Sequence, residues 1–168
     1  MRNPARTTVW SRRLALGAIL SLLSAAVIGI GPAYAATPFD TLLGAWSGSG
    51  QIRYEDQASE SIRCSAYYSG GGTKLRLAIR CKSTSTEIEI RGVLSQQGSR
   101  VTGTWEERTF NASGEASGSI SASRINLSIS GGGFSGSMAV SYGGARQTVT
   151  ISTQGIKMRS VHITLGKS

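Results

Sequence analysis

The stretch KLRLAIRCK, residues 74–82, alternates strictly between apolar and basic or small side chains. Successive side chains of an extended strand point to opposite sides, so its two kinds of residue separate onto two faces. The apolar face consists of Leu75, Leu77, Ile79 and Cys81. A period of two over nine residues is typical of a β-strand that buries one face and exposes the other to solvent.

The same alternation recurs in about ten short runs between residues 44 and 168, separated by glycine-rich turn signals. The chain has 22 glycines and 3 prolines, and no proline follows Pro38 to interrupt strand pairing. Connections this short exclude helical crossovers, so consecutive strands should pair antiparallel. We predict an all-β, up-and-down meander that closes into a barrel and so removes its exposed edges. A two-layer sandwich and a small outer-membrane barrel with the apolar face outward are the alternatives.

Two local features qualify this pattern. Residues 36–43 predict a short helical lead-in, because Thr37 can cap a helix that has Pro38 at its first position. In the last run the apolar phase changes near Ser160, and a β-bulge there would restore it. The barrel domain itself is predicted to span residues 44–168.

Residues 1–35 have the composition of a secretory signal. Four arginines precede an apolar run over residues 14–30, and Ala-Tyr-Ala at 33–35 forms a small-x-small cleavage site. An uncleaved anchor and a twin-arginine signal, suggested by Arg12-Arg13, are the alternatives. We expect a Sec-type bacterial signal, cleavage after Ala35, and a periplasmic or secreted product with no stable membrane insertion.

The two cysteines, Cys64 and Cys81, agree with export. An even pair in a small exported chain predicts one disulfide, and both residues lie on the apolar faces of neighbouring runs. The hairpin between these runs can bring the sulfur atoms together. With His162 as the only histidine, the chain lacks the residues for a metal cluster or a histidine-based triad. We predict no catalytic residues, no metal and no cofactor.

Gly44-Ala45-Trp46, after a short helical turn and at the start of the first strand, resembles the calycin barrels: lipocalins, fatty-acid-binding proteins and avidins. The resemblance implies that Trp46 closes one barrel end under a basic residue of the last strand, for which Arg159 and Lys167 are candidates. The ten-strand architecture is also similar to nitrobindin-like haem barrels, whose ligating histidine lies on a C-terminal strand. Here His162 is out of phase with its apolar neighbours, so we expect it to face solvent.

Six inward-facing aromatic residues are the candidate ligand-binding set: Trp46, Tyr54, Tyr68, Trp105, Phe134 and Tyr142. They can either line an apolar cavity, with polar tips that orient a ligand, or fill the core. Several inward positions are glycine, and the sequence leaves two explanations open. Either the missing side chains leave empty volume, or the glycines permit sharp strand coiling or a flattened barrel. The inward glycines are Gly48, Gly50, Gly103, Gly118 and Gly136.

Charged residues supply weaker candidates. Glu106 and Glu107 face opposite sides of a strand and cannot act together on one substrate. Glu107 is either a solvated strand-end residue, which we favour, or an inward binding determinant. A basic outer stripe either contacts anionic envelope polymers, lipopolysaccharide or phospholipid headgroups, or is a solvated face that carboxylates of the next strand partly neutralise, which we predict. It consists of Lys74, Arg76, Arg80 and Lys82, joined by Arg63.

These observations predict an exported, non-enzymatic β-barrel that binds a small apolar or amphipathic ligand in its interior. The alternative is an envelope protein-interaction module, such as a protease inhibitor, that binds through loops. The formal charge of +9 comes in large part from the leader, and export argues against nucleic acid as a partner.

Overall fold

A computed structural model describes residues 37–168, which form one short helix and ten antiparallel strands. The predicted signal peptide, residues 1–35, lies outside the described residues. Over the described range, no helix has the length and apolar character that a membrane span requires. The elements are α1 (Pro38–Leu42), β1 (Gly44–Tyr54), β2 (Ser59–Gly71), β3 (Lys74–Lys82), β4 (Glu87–Gln97), β5 (Arg100–Glu107), β6 (Ala112–Ile120), β7 (Arg124–Gly131), β8 (Phe134–Gly143), β9 (Arg146–Gln154) and β10 (Met158–Lys167).

The sheet is a closed barrel, as predicted. Each strand pairs with its neighbours in sequence, and β1 also pairs with β10, so that Gly48 lies opposite both Cys64 and Leu165. The two-layer sandwich is therefore wrong. Closure satisfies the backbone hydrogen-bonding groups of the first and last strands, which a sandwich would leave at open edges.

The predicted bulge is present in β10. Arg53 of β1 pairs with Ser160, whereas the next residue, Tyr54, pairs with Met158. Arg159 is thus the extra residue on the bulged strand. Beyond it Val161 and the apolar residues that follow at every second position face the barrel interior and are buried.

The two ends of the barrel differ. The closed end carries α1, the start of β1 and the end of β10, and there Phe39, Leu42 and Trp46 are no more than 2% exposed. The open end carries the β1–β2, β3–β4, β5–β6, β7–β8 and β9–β10 turns. The strand pattern alone treats both ends alike, and the helical lead-in is what distinguishes them.

Cys64 of β2 and Cys81 of β3 form the predicted disulfide. They lie directly opposite each other in the antiparallel ladder, with their Cα atoms 4.1 Å apart. Both are buried on the inner face. The bond therefore joins two strands that are already paired.

The inward glycines occupy positions where neighbouring strands come very close. A Cβ added at Gly48 would overlap the carbonyl oxygen of Thr164, and one at Gly103 would overlap that of Val93. Gly50, Gly118 and Gly136 meet adjacent-strand carbonyls in the same way. Strands that approach this closely agree with the explanation in which the glycines permit strand coiling or a flattened barrel, rather than with the one in which they leave empty volume.

Candidate functional site

Trp46 seals the closed end. Its indole Nε1 donates a hydrogen bond to the carbonyl oxygen of Leu42 at 2.7 Å, which fixes the ring beneath α1. The ammonium of Lys167 lies 5.4 Å from the ring centroid, within cation–π range. Of the two basic candidates, Lys167 is therefore the partner, while Arg159 forms an ion pair with Glu55 at the open end.

Asp40 connects α1 to the barrel. Its carboxylate accepts hydrogen bonds from the backbone N–H groups of Thr37 at 2.7 Å and of Gly72, in the β2–β3 turn, at 3.1 Å. These two bonds, the Thr37 bond first, lower the pKa of Asp40 below its ordinary value. The helix is thus attached to the rim that it covers.

The open end presents apolar side chains that face inward yet remain partly exposed. In the closed half, the half nearer α1, the inward apolar side chains are almost all fully buried. In the open half Ile52, Ile62 and Cys81 are buried as well, but a ring of half-buried inward residues accompanies them. This ring consists of Tyr54, Ile88, Ile90, Trp105, Ile129, Phe134, Met138, Ile151 and Met158. Partial exposure of inward apolar surface at one end is what an entrance to a barrel interior requires.

Trp105 and Phe134 form an aromatic pair in this ring, with centroids 5.2 Å apart. They belong to β5 and β8, and two strands lie between them. The register places Gly114 opposite Trp105, Gly131 opposite Gly114, and Phe134 opposite Gly131. Because neither glycine carries a side chain, the indole can extend across β6 and β7 to the phenyl ring.

The six predicted aromatics therefore separate into two groups. Tyr54, Trp105 and Phe134 lie half-buried in the open half, whereas Trp46, Tyr68 and Tyr142 are buried in the closed half. The buried tyrosines have partners for their hydroxyls: Tyr68 donates to Gln147 Oε1 and Tyr142 to the carbonyl oxygen of Ser121, both at 3.0 Å. Burial raises the pKa of Tyr68 to about 12 and also raises that of Tyr142.

Glu107 corrects one sequence-based prediction. The side chain is buried rather than solvated, and its carboxylate accepts backbone N–H bonds from Glu89 at 2.8 Å, Thr109 at 3.2 Å and Phe110 at 2.6 Å. It therefore fixes the β5–β6 turn. That turn exposes Phe110, whose side chain is 69% accessible at the rim of the open end.

Glu60, which the sequence reading overlooked, holds a second turn of the same rim. Its carboxylate accepts hydrogen bonds from the hydroxyl and backbone N–H of Ser85, at 2.7 and 2.9 Å, and from the hydroxyl of Tyr54 at 3.2 Å. These bonds, chiefly that of the Ser85 hydroxyl, lower the pKa of Glu60 to about 2. An inward acidic residue two positions before an apolar inward run is the signal that could have revealed it.

Two open concavities accompany this end and the adjacent wall. One of about 460 Å³ lies beside Phe134, between the β7–β8 turn and Gln154-Gly155. The other, of about 670 Å³, crosses β3 to β6. Its lining is taken mainly from outward-facing residues, so it is an external groove, and only the smaller depression adjoins the open end.

The remaining candidates lie outside the barrel. His162 is exposed, as expected from its phase, with Nδ1 3.2 Å from the hydroxyl of Thr150. In the basic stripe, Arg80 pairs with Glu89 at 3.3 Å and Lys82 with Glu87 at 3.9 Å, which confirms the predicted neutralisation across the ladder. These exposed pairs contribute little stability.

No protein-family model matches this chain, and neither does any curated protein sequence. Its fold is similar to the crystal structure of Rv2717c from M. tuberculosis, with a TM-score of 0.66 and 12% identity over 80% of this chain and 99% of that one. It is also similar to the S-type phycobiliprotein lyase CPES from Guillardia theta, with a TM-score of 0.56 and 11% identity over 77% and 90% of the two chains. At these identities the likeness shows the barrel fold alone.

Proposed function

We propose that this protein is an exported, non-enzymatic barrel that binds a small apolar or amphipathic molecule through its open end. The observation that carries the proposal is the contrast between the ends: inward apolar side chains are sealed under α1 at one end and partly exposed at the other. Of the described aromatics, Tyr54, Trp105 and Phe134 are positioned to contact such a molecule. Trp46, Tyr68 and Tyr142 support the wall and the closed end.

The character of the open end favours an apolar ligand. The inward ring is made of isoleucine, methionine and aromatic side chains, which gain free energy when a ligand removes their surface from water. Met138 and Met158 of this ring have flexible side chains that can adapt to ligands of differing shape. The two rim carboxylates, Glu60 and Glu107, are already engaged by turn donors, so the ring offers no free charge to pair with an ionic ligand.

The absence of catalysis is part of the proposal, since one structural neighbour is a lyase. Within the described part of the chain, the single histidine is exposed on the outer face of the barrel beside Thr150. The inward carboxylates accept backbone N–H bonds instead of facing a nucleophile. Both features favour binding over acid–base or nucleophilic chemistry.

Native mass spectrometry of the protein, recovered from the compartment into which its own cells export it, tests both export and ligand binding. We expect the mass of a chain that begins at Ala36, together with the mass of a retained small molecule. Phe134→Ser should abolish retention, because it removes an aromatic ring from the open end. Phe110→Ser is the matched control, since that side chain points away from the interior, and it should retain the ligand. Bare wild-type protein, or equal loss in both variants, would overturn the proposal.

Phe110 also supports a second candidate, the protein-interaction module. This aromatic side chain is 69% exposed, and two backbone N–H groups of its turn, with one from β4, donate hydrogen bonds to Glu107. It is therefore a preordered contact for another protein. In the same pair of variants this function predicts the opposite result. Phe110→Ser would lose a co-purifying envelope protein, and Phe134→Ser would keep it.

A further inference from the structure

The external groove lies between two rows of outward-facing residues on β3–β6. The register places Arg76, Val93, Thr104 and Glu115 side by side in the first row. It places Ala78, Arg91, Glu106 and Ser113 side by side in the second. The groove floor consists of the residues between the rows, and its volume is about 670 Å³.

In both rows the sign of the charge is opposite on the two sides of the line between β4 and β5. In the first row Arg76, on β3, and Glu115, on β6, occupy the two outer positions. In the second row Arg91, on β4, and Glu106, on β5, occupy the two inner positions. Each positive residue thus has a negative counterpart at the same distance on the other side of this line.

These charges are poorly balanced within one molecule. Among residues 37–168, Arg76, Glu106 and Glu115 take part in no ion pair, and Arg91 contacts Glu89 rather than its cross-strand neighbour Glu106. Glu89 already receives two further arginines, one on β3 and one beyond β5. Beside the groove Val93 is 43% exposed. The face therefore combines unpaired charge of both signs with exposed apolar surface.

We propose that the outward side of β3–β6, the β3–β6 face, is the contact surface of a two-fold symmetric homodimer. The symmetry axis runs parallel to the strands, between β4 and β5. Facing sheets with nearly aligned strands pack in this way. Arg76 then faces Glu115 of the partner subunit and Arg91 faces Glu106 of the partner subunit, and symmetry forms each pair twice. Val93 meets Thr104 of the partner subunit near the centre.

The charge pattern also selects this axis over the perpendicular one. A two-fold axis across the strands would set β3 against β3, and the basic stripe of residues 74–82 would face itself. The proposed axis sets β3 against β6, whose outward residues Ser113, Glu115 and Ser117 carry no positive charge. Like-charge contact penalises the first arrangement, so the pattern specifies orientation as well as attraction.

The size of the face predicts a weak dimer. Four strands spaced at about 4.8 Å, each with eight or more residues rising about 3.3 Å, give a projected area on the order of 500 Å² per subunit. Specific interfaces usually bury about 800 Å² per partner. We therefore expect a dimer with a dissociation constant in the micromolar range that salt weakens, because its ion pairs are partly exposed. The open end, at the strand termini, stays free.

Sedimentation velocity of the purified protein tests this proposal through charge reversal. Arg91→Glu places two pairs of facing carboxylates in the dimer, and Glu106→Arg places two pairs of facing guanidinium groups. Each variant alone should be monomeric, with a dissociation constant raised at least about a hundredfold. Arg124→Glu, which makes the same charge change outside the face, should dimerise like the wild type.

Mixing the two variants supplies the decisive result. A heterodimer of the two proteins has complementary charges at every reversed position, so an equimolar mixture should dimerise although neither component does. The double variant R91E/E106R should also dimerise, which excludes misfolding as the cause of the single-variant losses. A wild-type protein that stays monomeric up to about 1 mM, or a dimer that Arg91→Glu leaves intact, would overturn the proposal.

Discussion

The closed and open ends of this barrel are built from the same strands but hold their aromatic residues differently. At the closed end Trp46 is 1% exposed, and both its indole nitrogen and its ring face have partners. At the open end Trp105 is only half-buried. Its indole nitrogen donates a longer hydrogen bond, 3.2 Å, to the carbonyl oxygen of Glu115, and its ring contacts Phe134 across a pair of glycines. The difference indicates that one tryptophan stabilises the fold, whereas the other keeps apolar surface available.

The largest expected effect comes from truncating each tryptophan in turn. Trp46→Ala should lower the free energy of unfolding by about 3–5 kcal/mol, because it leaves a large cavity under α1 and an unpaired carbonyl at Leu42. Trp105→Ala should cost only about 1–2 kcal/mol, because part of its ring is already in contact with water. Urea titration, with the midpoints compared at equal slope, measures both changes.

The two variants control for each other, since both remove an indole from an inward position of the same barrel. A loss of stability in Trp105→Ala as large as that in Trp46→Ala would mean that the open end is as tightly packed as the closed end. The contrast on which the ligand proposal rests would then disappear.

Sequence reasoning recovers the strands, the bulge and the disulfide because each depends on side-chain phase along the chain. Barrel closure depends less on local pattern, because the β1–β10 pairing joins residues more than a hundred positions apart and side-chain phase does not show whether these two strands meet. The sequence does not predict the role of Glu107, because its partners are backbone N–H groups of β4 and of the β5–β6 turn, and these leave no side-chain pattern. The contact between Trp105 and Phe134 cannot be predicted in the same way, because it depends on the exact register of three successive strand pairs.

The disulfide should have the next largest effect, and it should act on both ends alike. Its cysteines are 17 positions apart, and opening a loop of that size raises the entropy of the unfolded chain enough to cost about 3 kcal/mol. Reduction should therefore lower Tm by about 10 °C. Hydrogen exchange should show protection falling equally at α1 and at the open-end strand termini. Loss at one end alone would mean that the bond stabilises that end locally, and an unchanged Tm would mean that it contributes little.

The smallest expected effects concern pH, and they separate the ends again. Tyr68, in the closed half, has a folded pKa of about 12, whereas an unfolded tyrosine ionises near pH 10. The stability that its neutral hydroxyl contributes is complete below pH ~10 and is lost as the pH rises toward 12. Glu60, at the open rim, has a folded pKa of about 2. Its contribution is complete above pH ~4.5 and is lost as the pH falls toward 2.

Ultraviolet absorbance of the phenolate, followed together with circular dichroism, measures the alkaline step. We expect one tyrosine to ionise only near pH 12 and to do so with the loss of folded structure, since its charged form is buried away from water beside Gln147. In Tyr68→Phe that last absorbance step should disappear. Glu60→Gln, the matched change at the open rim, should leave the alkaline step in place. It should reduce only the loss of stability that accompanies a fall in pH from ~4.5 toward 2. If Tyr68→Phe leaves the absorbance curve unchanged, Tyr68 is not the late-ionising group, and the closed half is more accessible to water than its burial implies.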